Sequence, residues 1–417
     1  MPEKREYEIY TLKNGIRVVH RQVSHTKIAH CGFVLDVGSR DEDVQQQGLA
    51  HFWEHMAFKG TKHRKAFHII NRLEILGGEL NAYTTKEKIC FYASILDIHY
   101  EKAIDLLTDI TFNSIFPDRE IEKERSVILE EMSMYSDTPE DAIYDDFESI
   151  VFDKHPLGFN ILGTADTVKS FQVKDFKKFL KDNVDTERLL FTSVGNIPFA
   201  KVKAFADKYL SSIPSRNATH SRKLFKKYKP SVVEKSRSTL QAHCMIGRTA
   251  YKLNDERRIP FFMLVNLLGG PAMNSRLNLA LREKYGFVYG VEANYTPFID
   301  TGLFSIYFAT EKKQLDKSIH LVFKELKKLQ EKPLGSMQLH MCKEQLMGQL
   351  AMAEESNINF MQMMGKSILD LGDVDTLETI FIKIRQIKAK TLVDLSREIF
   401  NEDELSFLTY IPNGVSE

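Results

Sequence analysis

Four cysteines stand in 417 residues (Cys31, Cys90, Cys244 and Cys342), widely spaced and with no CxxC pair. That is too sparse for a disulfide scaffold, and it suits core thiols in a reducing compartment. No apolar run approaches the ~18 residues that span a bilayer. The longest, Ile259 to Leu268, is interrupted by Asn266. Neither an apolar signal core nor an Arg- and Ser-rich transit peptide opens the sequence, so no membrane partner and a cytoplasmic location are expected. Charge of one sign is not in excess either. Lys+Arg number 57 and Asp+Glu 57, a formal net charge of zero, which gives no reason to expect nucleic acid as a partner.

What is present is core-forming material. The chain has 28 Phe and 15 Tyr, with 43% hydrophobic and 27% charged residues. A disordered chain does not carry so many aromatics, and the length suffices for two or three cored domains. Two halves emerge, 1–213 and 231–417. Between them Pro214 to Pro230 is polar, basic and bracketed by prolines, as an exposed linker would be. The halves read as copies. Ala29-His30-Cys31 recurs as Ala242-His243-Cys244, and each is followed by strand, helix, further strands and a long helical region. Strand patterns at Gly15–His20, Ile28–Val37 and Phe91–Ile95 precede helical ones at Tyr100–Asn113, Asp118–Tyr135 and Val173–Asn183. The second half offers helical stretches at Ile259–Leu268, Ser275–Lys284, Lys312–Gln330 and Ser336–Ala353. Without strict β-α alternation, the expected fold class is α+β: two homologous domains, each a mainly antiparallel sheet covered by helices.

The chemistry is concentrated in His51-Phe-Trp-Glu-His55. Two histidines four apart share a helix face, so both imidazoles can meet one cation. Glu54 lies about 60° from His51 and about 100° from His55 around the helix, beside the ion rather than behind it. Asp41 to Gln47 makes a polar approach to that helix, and Gly60 is a stop signal. The spacing H-x-x-E-H is the inverted zinc-peptidase pattern. Taken alone, two histidines four apart on a helix are often just surface or partly buried residues.

A zinc site needs a third protein ligand and an open position. The acidic stretch Asp118 to Met132 supplies candidates for it. Its apolar stripe is Ile121, Ile128, Met132 and Tyr135. Glu131 falls about 20° from both Glu120 and Glu124 on the strip bordering that stripe, whereas Glu122 and Glu130 point away. Glu131 is therefore the expected ligand. Glu124, one heptad earlier, is the expected carboxylate behind a ligand; a plain surface acid is the alternative for it.

Gly48-Leu-Ala-His-Phe-Trp-Glu-His-Met-Ala-Phe-Lys-Gly-Thr61 resembles the active-site segment of the pitrilysin family of zinc peptidases. The nearest branch holds the mitochondrial processing peptidase β subunit and its short bacterial relatives. Leu76 to Thr84, Glu122 to Met132, His155 to Gly163 and Leu281 to Tyr289 resemble further segments of that family, so the resemblance spans most of the chain. It implies two related domains, one zinc per chain in the first, and peptide-bond hydrolysis. Glu54 would be the general base, and Glu131, the carboxylate before Met132, the third ligand. It also implies that Arg282 and Tyr289 hold substrate carbonyls and that Asn81 and Ala82 lie on an edge strand pairing with extended substrate. Taken alone, Arg282 is a helix-end charge, Tyr289 a strand aromatic and Asn81 a turn residue.

With Ala29 set on Ala242, positions 51, 54 and 55 fall on Leu264, Leu267 and Leu268. The second half should therefore bind no metal. His63 and His68 follow the motif but lie past its helix end, and His25, His30, His99, His243, His320 and His340 show no ligand spacing with a partner carboxylate, so all read as structural or surface residues. Met361-Gln-Met-Met364 reads as core rather than as a copper site. Family relatives enclose peptides or unfolded polypeptides in a chamber of four such domains. This chain has two, so a homodimer is expected, or a heterodimer with a metal-less homologue. The rival roles are a scaffold subunit and a presequence-processing subunit.

Overall fold

In the computed structural model, which describes residues 6–413, apolar alternation and β-branched runs build eleven strands among the described residues. They are β1 (Glu8–Thr11), β2 (Arg17–Gln22), β3 (Ile28–Leu35), β4 (Glu79–Thr84), β5 (Ile89–Leu96), β6 (Leu189–Gly195), β7 (Val232–Arg237), β8 (Ala242–Ala250), β9 (Val288–Pro297), β10 (Gly302–Thr310) and β11 (Ser406–Pro412). One sheet runs β1-β2-β6-β3-β5-β4 and the other β7-β11-β8-β10-β9. Each has a single parallel pair, β2 with β6 and β7 with β11; the remaining pairs are antiparallel. From β2 on, the first order is the second order repeated. The Ala-His-Cys repeat lies on corresponding strands, β3 and β8.

The chain forms two compact units. Among the described residues, the first takes 6–132, Phe159–Lys223 and Met352–Thr376; the second takes Ser133–Gly158, Leu224–Ala351 and 377–413. These are not the contiguous halves 1–213 and 231–417. Each sheet carries helices on one face and a single helix, drawn from the other half of the sequence, on its opposite face. In the first unit that helix is Asn357–Leu371. Its Met361, Met364 and Ile368 pack with Val19, Leu190 and Val194, so two methionines of the expected core patch are core, whereas Met363 is exposed. In the second it is Pro139–Val151, whose Ile143, Phe147 and Val151 pack with Met245, Leu408 and Tyr410. Such exchange is invisible to periodicity, which reports that a helix has an apolar face and not which sheet covers it.

The main core of the first unit lies between its sheet and the helices Leu49–Ala57, Tyr100–Phe112, Val173–Asn183 and Phe199–Leu210. That of the second lies under Arg258–Gly269, Leu315–Glu331 and Ala389–Ile399. The helical stretch expected from Ser275 is π-type over Asn278–Glu283. Nor is 214–230 simply a solvated connector. Arg222 is fastened to Asp41 at 2.8 Å and to Asp36 at 3.1 Å with its side chain 9% exposed. The four cysteines are buried free thiols. No described helix is long and apolar enough to cross a membrane.

Candidate metal centre

Helix Leu49–Ala57 presents the H-x-x-E-H segment. Phe52, Trp53 and Met56 face the core, which leaves His51, Glu54 and His55 on the opposite side. The helix start is fixed by a buried carboxylate. Glu42 accepts the Gly48 N–H at 2.9 Å and the Ala50 N–H at 2.7 Å, satisfying two of the N–H groups that a helix start leaves without partners. Burial pushes the Glu42 carboxyl well above its ordinary value, against those two bonds. Gly48 is left-handed (φ 92°), and a Cβ there would meet the Leu162 carbonyl oxygen at 2.4 Å. Only glycine fits such a position. The helix ends at Ala57, before Gly60.

The acidic helix, Asp118–Asp137, brings Glu131 across. Glu131 Oε2 lies 3.9 Å from His51 Nε2 and 3.6 Å from His55 Nε2. One donor atom from each of the three lies within 4.8 Å of the others. Ligands roughly 2 Å from a tetrahedral ion stand about 3.4 Å apart, so the cluster fits a single small cation. His51 has a second signature. Its Nδ1 is buried without a hydrogen-bond partner. Burial, then the neighbouring His55 ring, lowers its pKa to about 3, so it is a neutral imidazole with a lone pair to donate. The two rings lie 4.6 Å apart between centroids.

Glu124 stands behind His55, with Oε2 3.2 Å from His55 Nδ1. A carboxylate can only accept, so Nδ1 carries the proton and Nε2 keeps its lone pair toward Glu131. Lys59 Nζ holds the other Glu124 oxygen at 2.6 Å. Burial would raise Glu124, but the bonds from His55 and Lys59 outweigh it and hold its pKa below the ordinary value. Glu124, one heptad before Glu131, thus contacts both His55 and Lys59.

Glu54 is not part of the donor cluster. Its Oε2 accepts a hydrogen bond from Thr84 Oγ1 at 2.5 Å. Burial raises its pKa most, Glu131 adds to the rise, and Thr84 and His55 oppose it. Thr84 ends β4, the outer strand of its sheet. Asn81 and Ala82 lie on that strand, paired with Tyr92 and Phe91 of β5. Asn81 is therefore a strand residue and not a turn residue. Sequence reading missed Thr84, Lys59 and Glu42. For Thr84 the strand period was a usable signal, since it shares a face with Ala82. Glu42 and Lys59 gain their roles only through the fold.

Arg282 and Tyr289 are neighbours in the second unit. The guanidinium carbon sits 5.6 Å from the Tyr289 ring centroid, and Tyr289 is 88% exposed. At the positions aligned with His51, Glu54 and His55, helix Arg258–Gly269 carries Leu264, Leu267 and Leu268, all in or against the second core.

Two duplicated sheets, with an imidazole–imidazole–carboxylate cluster and a separate carboxylate beside it in the first unit, define a metallopeptidase class. Residues 17–165 match the insulinase family, peptidase family M16, and residues 170–346 match the peptidase M16 inactive domain. The chain belongs to this family. It is 33% identical over 402 residues to an uncharacterized zinc protease of Bacillus subtilis, covering 94% of this chain and 96% of that protein. An uncharacterized zinc protease of Rickettsia bellii is 31% identical, covering 99% of each. A protease from Helicobacter pylori of known crystal structure superposes with a TM-score of 0.90 over 97% of this chain and 99% of that one, at 22% identity. A peptidase M16 inactive domain from Pseudomonas fluorescens gives 0.91 over 99% of both chains, at 17% identity. These last two likenesses concern the fold.

Proposed function

We propose that this chain is a zinc-dependent endopeptidase that cuts peptides or unfolded polypeptides held as extended strands. The observation that carries the reading is the division of labour at the centre. His51, His55 and Glu131 converge on one point, while Glu54 stands aside, held at one oxygen by Thr84. Zinc, which the relatives' names attach to them, would be held by those three donors, one ion per chain. When bound it supplies Lewis-acid polarisation of a peptide carbonyl.

The remaining work falls to the chain's own groups. Glu54 takes the proton of the attacking water on its carboxylate and returns it to the leaving nitrogen. Burial raises its proton affinity toward that task. Glu124 and Lys59 hold His55 in the tautomer that keeps Nε2 available. The outer edge of β4, with Asn81 and Ala82, aligns substrate by main-chain hydrogen bonds, which give affinity with little demand on sequence. Arg282 and Tyr289 hold substrate carbonyl groups and the charge that develops on them.

With two units per chain, the working form is a homodimer enclosing substrate in a chamber, and the setting is the cytoplasm. A heterodimer with a metal-less homologue, in which this chain is the metal-bearing processing or scaffold subunit, is the alternative. The intact donor set weighs against a pure scaffold. The test is metal analysis of the purified chain beside a quenched-peptide cleavage screen with and without chelator. Stoichiometric zinc with chelator-sensitive cleavage supports the reading, and its absence in both assays refutes it. Sedimentation that finds a strict monomer would remove the homodimer.

A further inference from the structure

The two faces of β4 differ in chemistry. Leu80, Ala82 and Thr84 share the face toward helix Leu49–Ala57, where Thr84 meets Glu54. Strand residues alternate, so Glu79, Asn81 and Tyr83 share the other face, opposite Ser94, Tyr92 and Cys90 of β5. On that face lies helix Asn357–Leu371. Its Lys366 places Nζ 4.8 Å from the Tyr83 ring centroid.

Lys366 makes no ion pair among the described residues. The acid one helical turn on, Asp370, is taken by Lys88 at 2.6 Å. Lys366 is half-buried, and burial lowers its pKa below the ordinary value. The aromatic face beneath it offers partial compensation. A cation so placed, beside the outer strand and with its nearest acid, Asp370, held in contact by Lys88 instead, is matched by a carboxylate arriving from outside.

We propose that Tyr83 and Lys366 form a side-chain subsite that selects an acidic residue in the bound peptide. The inference rests on the reading of β4 as the strand that pairs with substrate. A peptide lying along β4 sends its side chains to the two faces in turn. Those in register with Ala82 and Thr84 face the side of Glu54. The one in register with Tyr83 faces the ring and the Lys366 ammonium. Aspartate or glutamate there gains a charge-assisted hydrogen bond in a partly desolvated place. Lysine or arginine there meets a like charge. The selection concerns one register position and not the overall charge of the peptide.

The experiment uses the zinc-loaded full chain and peptide sets that carry Glu, Gln or Lys at each position flanking the cut. At one position Glu should exceed Gln by roughly five- to tenfold in kcat/KM, with Lys below both. Lys366→Gln should bring the Glu-to-Gln ratio to about one, Lys366→Glu should invert the order of Glu and Lys, and Lys366→Arg should keep it. Circular dichroism and a thermal melt establish that each variant is folded. No acidic preference in the parent chain, or a preference indifferent to the residue at 366, overturns the subsite. Peptide affinity is measured in parallel with zinc-loaded Glu54→Gln. Peptides that bind without regard to charge at any position overturn the subsite alone. A chain that neither binds nor cuts extended peptides overturns the edge-strand reading and the subsite together.

Discussion

Glu124 accepts a hydrogen bond from His55 Nδ1 at 3.2 Å, and this contact leaves Nε2 as the ring nitrogen with a free lone pair. Glu124→Gln should weaken zinc binding by about ten- to a hundredfold, the usual cost of losing such a partner. Lys59→Met should cost less, because Glu124 keeps its bond to His55. Chelator competition on both variants checks the order. Equal affinities in the parent chain and Glu124→Gln would remove this role.

Replacing the donors should separate metal binding from turnover. His51→Ala, His55→Ala and Glu131→Gln should each lose most of the bound zinc, as metal analysis would show. Glu54→Gln should keep zinc but lower cleavage by about a thousandfold, within the range for general-base removal. Undiminished cleavage by Glu54→Gln would mean that another group takes the proton.

Gly48→Ala should destabilise the first unit by about 2 kcal/mol or more, combining a positive-φ penalty with overpacking against the Leu162 carbonyl. The start of helix Leu49–Ala57 moves with it, so zinc affinity should fall too. Denaturant unfolding and chelator competition read the two effects. An unchanged unfolding midpoint would contradict the close approach.

His20 gives a pH dependence with a definite sign. It is 1% exposed and bonded to Ser193 Oγ at 3.0 Å and to the Ile197 carbonyl at 2.7 Å. Burial lowers its pKa from 6.5 to about 4, against the backbone bonds. Between those values the unfolded chain binds the proton and the folded chain does not. Stability therefore falls as the pH drops from 6.5 toward 4, by about 3 kcal/mol for this group. In His20→Gln that part of the slope should vanish in urea midpoints measured across the window. An identical slope would assign the acid sensitivity to other groups.

The amino-acid order carried the chemistry because helical spacing is local. The spacing of four positions from His51 to His55 fixes a shared face whatever surrounds them, and the heptad from Glu124 to Glu131 does the same on the acidic helix. The duplicated α+β plan was legible from the Ala-His-Cys repeat and the leucines at 264, 267 and 268. Most expected helices formed within one or two residues of their bounds, since apolar periodicity governs them. Helices Pro139–Val151 and Asn357–Leu371 escaped assignment to their sheets for the opposite reason. An apolar stripe names no partner.

Local pattern by itself determined the donor types, their order along the chain and the two-domain plan. Tertiary structure decided that Glu131 reaches the imidazoles, that Thr84 holds Glu54, that Glu42 caps the helix start and that Lys366 lies over Tyr83. These pairs are separated by between 6 residues (Glu42 and Gly48) and 283 residues (Tyr83 and Lys366). Bringing such groups into contact depends on how sheets and helices pack, and packing is a property of the whole chain rather than of any short segment.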